Sequence, residues 1–578
     1  MGIAFPARVR DGLLIAFLGA FLFLYGIGGR TLQRSSEGRV ARVAQEMLDR
    51  GDWLVPHLNG IPRIEKPPVG SWPTAVMAKL FSGGQVRARD ALVPAALAAV
   101  ALILLVYVWL SGRARETARA AGLMGALALA TMVGFFRQAR SAESDMLLAF
   151  CVALGFWAYE RHRLEGWAAG LPLCYAALGL GISLKGHVIL VIVLPVLLAW
   201  RNWERAAETP RPWKPHLLGL ALLLALVLPW GIPFAMRSGI TWATFYREGF
   251  ERFEETAGHY EPWYFYLANV PLWALPWLLL LPLVIWFQWT SPVDEDSPRR
   301  RLWWLWFVLN LLIWSVVGSK QRHYAIGWLT PLGLLIGDGV ARMIQEADED
   351  SARPAAAWGY LATVASGWVL GAGLLAAAWL APRESVPGLL LWSFGLVGAV
   401  GFVTGASTLM YAGGRGLFVS WWAGALCAML LFANSWEGAQ DRERSPAYFC
   451  SQVRRFVPEA ARLYDVNVAT HYGPNAAPDL RRAHILFYLG RNVEMVPVPA
   501  DDSPSPPATE AEARARYSRR LVRGVTALLR RGPDVFVMAP TALRDALPAE
   551  LYEEPFSGEK EFAGHTWGAH LLRGKAMP

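Results

Sequence analysis

The chain has 578 residues, 54% hydrophobic and 17% charged, with 28 Trp and 26 Phe, and a mean hydropathy of +0.29. A soluble domain carries about 25% charged residues, so an ordinary soluble protein is excluded and a polytopic membrane protein with a smaller soluble part is predicted. The net charge of +9 points, in such a protein, to arginines in cytoplasmic loops and not to nucleic acid.

The first apolar run follows Arg8 and Arg10 and has no small-residue cleavage site before Arg30, which predicts a retained first helix. Apolar windows then predict about thirteen spanning helices, at 12–29, 91–110, 121–136, 145–160, 167–183, 186–200, 216–236, 263–289, 302–318, 323–342, 357–381, 387–410 and 416–434. With the N-terminus inside, the cytoplasmic loops collect Arg113, Arg115, Arg119, Arg161, Arg163, Arg201, Arg205, Arg211, Lys214, Arg299, Arg300, Arg301, Arg342, Arg353 and Arg415. The short outside loops carry fewer cations, so the positive-inside rule predicts N-in and C-out. Of the four cysteines, Cys151, Cys174 and Cys427 lie in apolar runs, and none of the spacings fits a thiolate zinc site or a disulfide framework.

Two larger pieces then face outward. One is the loop at 30–90; the other runs from 435 to 578, after a membrane domain at 1–434. In the second, VNVAT, NVEMVPV and DVFVMA read as short buried strands and EAEARARYSRRLVRGVTALLRR as an amphipathic basic helix. Strands alternating with helices predict a small soluble α/β domain. The expected fold class is thus an all-α polytopic membrane protein with a C-terminal soluble α/β domain.

The outer face gathers the ionisable residues. SEGRVARVAQEM reads as a helix capped by Ser35 or Ser36, with Glu37 and Arg39 in its first turn; an acid there also suits the helix dipole. In RIEKPPVGSW the two prolines stiffen the backbone and forbid a helix at Lys66. A rigid loop presenting Glu65 and Lys66 fits a binding site, while an interfacial turn with snorkelling charges is the plainer alternative. Asp145 tops a spanning helix, where an acid is costly unless solvated or paired. Lys185 and Gly186 separate two apolar runs, GSKQRHYAIGWLTP carries Lys320, Arg322, His323 and Tyr324, and His259 precedes an aromatic helix start. Taken singly, these are ordinary interface residues. Together on one face, cations matched to a phosphate and carboxylates able to act as bases suggest chemistry on a lipid phosphate.

The sequence Glu37-Gly-Arg39, then EMLDRGDWLVPHLNG, then Glu65-Lys66-Pro67-Pro68 before Trp72 resembles the first periplasmic loop of the protein-mannosyltransferase-like glycosyltransferases, and among them the lipid A 4-amino-4-deoxy-L-arabinose transferases. The likeness continues through Asp145, GISLKGHVIL, RFEETAGHYEPWYFYL and GSKQRHYAIGWLTP, over residues 12–345. The resemblance implies a GT-C fold in the bacterial inner membrane. It implies transfer of a sugar, with inversion, from a polyprenyl-phosphate (undecaprenyl-phosphate) donor to a periplasmic-side acceptor such as lipid A, another glycan or protein. It makes Glu37 and Asp145 the catalytic acids and gives the donor phosphate to Arg39 and Lys66. Lys185, Lys320 and Tyr324 would line the pocket, and Glu65 and His259 would hold a divalent metal, zinc. Where the family has an Asp-Glu pair, this chain reads Ser36-Glu37. An anionic acceptor needs little deprotonation and a hydroxyl needs more, so this departure leaves the acceptor open. A lipid or sugar transporter and a catalytically impaired lipid-binding relative are the competing readings; a transporter should carry its charges at mid-membrane, whereas these sit at the outer helix ends.

Overall fold

The computed structural model describes residues 6–64, 66–113, 117–204, 213–240, 261–275, 293–318, 320–349, 446–466, 483–499, 510–539, 541–558 and 569–575, with a few single residues at 277–285 and at 425. The helices expected at 357–381, 387–410 and 416–434 lie outside these residues. The chain forms two compact units: residues 1–29, 50–56 and 63–437, and residues 30–49, 57–62 and 438–578.

The first unit is helical. Its elements are α1 (Ala7–Leu24), α3 (Trp72–Phe81), α4 (Ala88–Ser111), α5 (Ala118–Ala130), α6 (Val133–Ala139), α7 (Asp145–Glu165), α8 (Gly170–Lys185), α9 (Val188–Trp203), α10 (Lys214–Ser238), α11 (Phe265–Trp273), α12 (Ser297–Val316) and α13 (Ile326–Glu349). Among the described residues four helical segments are long and apolar enough to cross a membrane, or five if the bent pair α5–α6 is one span. The run expected as one helix at 121–136 is therefore broken, with a bend of 69°. The bend centres on Thr131, whose hydroxyl donates back to the Leu127 carbonyl at 2.8 Å and accepts the distant Trp277 indole N–H at 2.9 Å. The Val133 amide then bonds the Leu275 carbonyl instead of its own helix. Such side-chain competition for backbone carbonyls bends helices.

Helices α5 and α13 pack closely because glycines meet at their crossing. A Cβ on Gly337 would lie 2.5 Å from the Ala121 carbonyl oxygen and 2.7 Å from the Gly125 Cα. With Gly333 one turn earlier, this is the small-residue spacing that lets helix backbones approach in a membrane. Trp109, Trp303, Trp306 and Phe156 fill the space between α4, α7 and α12, with the Phe156 and Trp306 rings 4.5 Å apart.

The second unit is α/β. Its sheet has the order β4 (Glu494–Met495), β3 (Arg462–Asp465), β5 (Val535–Ala539), β7 (Ala569–Gly574) and β6 (Tyr552–Gly558). The first three strands are parallel and the last two pairings antiparallel. Alternation along β5 sends Val535, Val537 and Ala539 to a cluster with Val525, Leu528 and Leu529 of helix Glu510–Leu529. Phe536 and Met538 go to the other face, against Phe449, Cys450 and Val453 of helix Ala447–Phe456. Strands β3, β4 and β5 and the basic helix fall on or beside the predicted segments; β6 and β7 were not anticipated, because YEEPFSG and AHLLRG lack a clean apolar alternation.

The loop expected as a single piece at 30–90 is divided between the units. Helix α2 (Ser35–Arg50) forms where the 3.6-residue pattern placed it and belongs to the second unit. So does the hairpin β1–β2 (His57–Leu58 and Ile61–Pro62), turned by Asn59-Gly60 with φ of 56° and 78°, the residue pair that favours such a turn. The Asn59 amide donates to the Val493 carbonyl and accepts the Val493 N–H, both at 2.8 Å. Arg42 reaches Glu46 at 2.9 Å and Asn492 at 2.8 Å.

Candidate functional site

Asp145 is the first residue of α7, Lys185 the last of α8, and Tyr324 lies in the 3-10 turn Arg322–Ala325 that opens α13. Three helix ends thus converge. Asp145 is 5% exposed and forms a short ion pair with the Lys185 ammonium. The same ammonium sits 5.0 Å from the Tyr324 ring centroid, a distance at which a cation is attracted to the ring face. Burial of a carboxylate and an ammonium is tolerable because each compensates the other.

A small, partly open pocket adjoins this cluster. Asp145, Lys185 and Tyr324 supply its polar lining, and Leu148, Val152, Val188, Ile192 and Trp314 its apolar lining. A site with charged groups over apolar walls fits an amphiphile with an anionic head.

The RIEKPPVGSW segment packs against the same helix ends. Pro68–Ser71 is a 3-10 turn running directly into α3. A Cβ at Gly70 would lie 2.9 Å from the Leu184 carbonyl oxygen and 4.0 Å from Ser144 Oγ. Those are the residues immediately before Lys185 and Asp145, so glycine allows the turn to ride on them. The Trp72 indole donates to the Trp53 carbonyl at 2.8 Å and pins the turn from its other side. Lys66, half-buried, stands two residues before this turn.

The other predicted residues fall as follows. Lys320 is buried and donates to the Glu261 carbonyl at 2.8 Å; burial lowers its pKa and the Glu261 carboxylate partly offsets this. Glu37 and Arg39 lie on α2 in the second unit. Glu37 is fully buried, and its carboxylate accepts from the Arg30 guanidinium at 3.3 Å and the backbone N–H groups of Gln33 and Arg34 at 3.0 and 3.2 Å. Those are helix-start donors with no partner inside the helix. Glu65 and His259 lie outside the described residues.

Sequence reasoning missed Glu143, and quoted His323 without giving it a role. Glu143 lies in the α6–α7 connection, 7% exposed, and the Gln138 amide donates to it at 2.9 Å. His323 Nδ1 is 3.9 Å from Glu143 Oε2, and its ring is edge-on to Tyr324 with centroids 4.8 Å apart. One titratable atom from each of Glu143, Asp145 and His323 lies within 4.8 Å of the others. The available signals were an acid two residues before Asp145 and a histidine beside Tyr324.

Comparison with known proteins bears on this geometry. Residues 65–232 match the family described as dolichyl-phosphate-mannose-protein mannosyltransferase. The undecaprenyl phosphate-alpha-4-amino-4-deoxy-L-arabinose arabinosyl transferase of Edwardsiella ictaluri is 30% identical over 348 residues, 59% of this chain and 61% of that protein. That of Serratia proteamaculans is 28% identical over 441 residues, 72% of this chain and 74% of that protein. The chain thus spans less than two thirds of the Edwardsiella protein's length. The crystal structure of ArnT from Cupriavidus metallidurans bound to undecaprenyl phosphate superposes with a TM-score of 0.71 at 18% identity, covering 98% of this chain and 97% of that one. Family match, relatives and fold point the same way: the chain is similar to the protein-mannosyltransferase-like glycosyltransferases, and to the aminoarabinosyl transferases among them, and shares the fold of ArnT.

Proposed function

We propose that the chain is an integral-membrane glycosyltransferase that moves a sugar from an undecaprenyl-phosphate-type donor to an acceptor on the extracytoplasmic side, with inversion. The observation that carries this reading is the buried Asp145–Lys185–Tyr324 cluster over an apolar cavity. The cations would bind the donor phosphate and stabilise the negative charge that grows on it as the sugar leaves. Asp145 holds the Lys185 ammonium in place, and the Gly70 turn sets Lys66 for the same phosphate. The apolar lining receives the first isoprene units.

The proposal includes about thirteen spanning helices, a cytoplasmic N-terminus, and a C-terminal α/β unit outside the plasma membrane. The acceptor classes are lipid A, another glycan or protein. Zinc at Glu65 and His259 is a separate proposal, and no step above runs through it. A catalytically impaired lipid-binding relative is the competing reading, supported by Ser36 and by the three donors that already occupy Glu37.

Native mass spectrometry of the full chain beside Lys66→Ala tests the donor class. The wild type is expected to carry a polyprenyl phosphate, with any attached sugar read from its mass, and the variant to lose it. If neither protein carries such a lipid after it is added back, the glycosyltransferase reading fails.

A further inference from the structure

A hydroxyl acceptor must lose its proton as it attacks, and two of the three buried carboxylates discussed above are already committed. Glu37 is enclosed, and its carboxylate already accepts from the Arg30 guanidinium and two backbone N–H groups. The Asp145 carboxylate is taken up by the Lys185 ammonium. Glu143 differs, because it stands at ion-pair distance from an imidazole. The Gln138 amide fixes one of its oxygens at 2.9 Å, and His323 Nδ1 lies 3.9 Å from that same oxygen. Among the described residues neither ring nitrogen of His323 makes a hydrogen bond. The ring also touches Tyr324, which lines the cavity beside Asp145 and Lys185. An imidazole with a carboxylate at one nitrogen and the other unengaged is the arrangement of an oriented general base.

We propose that His323 is the general base of the transfer, positioned by Glu143, and that the acceptor atom is therefore a hydroxyl oxygen and not a phosphate oxyanion. This rests on the glycosyltransferase reading above. In the step, the acceptor oxygen forms a bond to the anomeric carbon while the bond from that carbon to the donor phosphate oxygen breaks. The bonding electron pair leaves on the polyprenyl phosphate, whose charge the Lys185 ammonium stabilises. The hydroxyl proton passes to His323 Nε2, and the imidazolium turns its Nδ1–H toward the Glu143 carboxylate. Among the described residues, the titratable groups placed at the ring are Glu143 and Asp145 from the α7 side and Tyr324 on its own turn, with Lys185 beyond Tyr324 and Asp145.

The test uses the full chain in nanodiscs with undecaprenyl phosphate-linked 4-amino-4-deoxy-L-arabinose as donor. Two acceptors are compared, an alkyl glycoside bearing only hydroxyls and the same glycoside bearing a phosphate monoester. The wild type is expected to transfer to a hydroxyl, with an acid limb in its kcat/KM profile. His323→Gln should lower kcat about 100-fold, abolish that limb, leave donor KM unchanged and retain co-purified lipid. Added imidazole should restore part of the rate in His323→Ala. Glu143→Gln should keep donor binding and displace the acid limb. An unchanged rate or unchanged acid limb in His323→Gln overturns the base assignment, as does transfer only to the phosphate oxygen. Loss of the bound lipid in His323→Gln also overturns it, since the residue would then serve binding. Absence of wild-type transfer to either acceptor instead overturns the underlying glycosyltransferase reading.

Discussion

The Asp145–Lys185 pair shows how a single residue can be costly alone and stable in company. Each group is largely removed from water, and each is neutralised by the other. Removing one partner leaves a buried charge uncompensated, which costs about 3–5 kcal/mol. Asp145→Ala and Lys185→Ala should each lower the unfolding temperature of the detergent-solubilised protein. The double variant should recover much of the loss. Strictly additive losses in that cycle would mean the two side chains do not interact. Both residues were visible in the sequence as charges at helix ends, but their partnership was not, because 40 positions separate them. Glu143 escaped attention for a related reason: its connector reads as an ordinary polar loop, and only the arrival of His323 from the start of α13 gives it a partner.

At the scale of elements, helices among the described residues were legible where apolar runs were long, and breaks were not. The α5–α6 bend depends on Trp277 and Leu275 reaching Thr131 and Val133 from far along the chain, which no local pattern encodes. The RIEKPPVGSW turn is a mixed case. Its stiffness follows from two prolines, whereas its seat against Leu184 depends on Gly70 having no side chain. The neighbour is a backbone carbonyl that cannot swing aside, so Gly70→Ala must shift the turn. A displacement of about 1 Å in a positioning element can cost about 100-fold in rate. Gly70→Ala is therefore expected to reduce kcat/KM at least tenfold and weaken donor retention, with helix content by circular dichroism unchanged. Full activity in that variant would show that the turn does not position the donor.

Across the whole helical unit, the site at one end is matched by an ion network at the other. Asp145 and Glu160 lie on α7, separated by 15 residues, or about 22 Å of helix rise. Near Glu160, Arg299 bonds Glu160 at 3.0 Å and Asp296 at 3.1 Å, and Arg113 reaches Asp338 at 2.9 Å. Arg300 and Arg342 both bind Asp294, at 2.8 and 2.6 Å. These arginines are among those that fixed the predicted orientation, and the folded unit also uses them to join α4, α7, α12 and α13. Burial raises the pKa of Asp294, but the Arg300 and Arg342 guanidiniums outweigh it and hold the carboxyl well below the usual range. A lowered folded-state pKa contributes stability above the unfolded value of about 3.9, and that stability is lost as pH falls toward the folded value. The wild type should lose thermal stability on acidification below about pH 4. Asp294→Asn should be less stable at neutral pH and show a flatter acid limb. Parallel acid limbs in the two proteins would remove Asp294 from this account.

The sequence by itself determined the apolar, helix-rich character, most of the helix positions among the described residues, the strands β4 and β5, and the set of ionisable residues at helix ends. Those features follow from hydrophobic periodicity, loop charge and proline stiffness, all of which act over a few residues. Tertiary structure alone decided which charges meet. It brought Asp145 to Lys185 and Tyr324, brought Glu143 to His323, and divided the first loop so that α2 and the Asn59-Gly60 turn join the C-terminal sheet. Pairings of that kind depend on helices crossing at glycines and on hydrogen bonds between residues up to hundreds of positions apart, and a linear pattern carries no record of either.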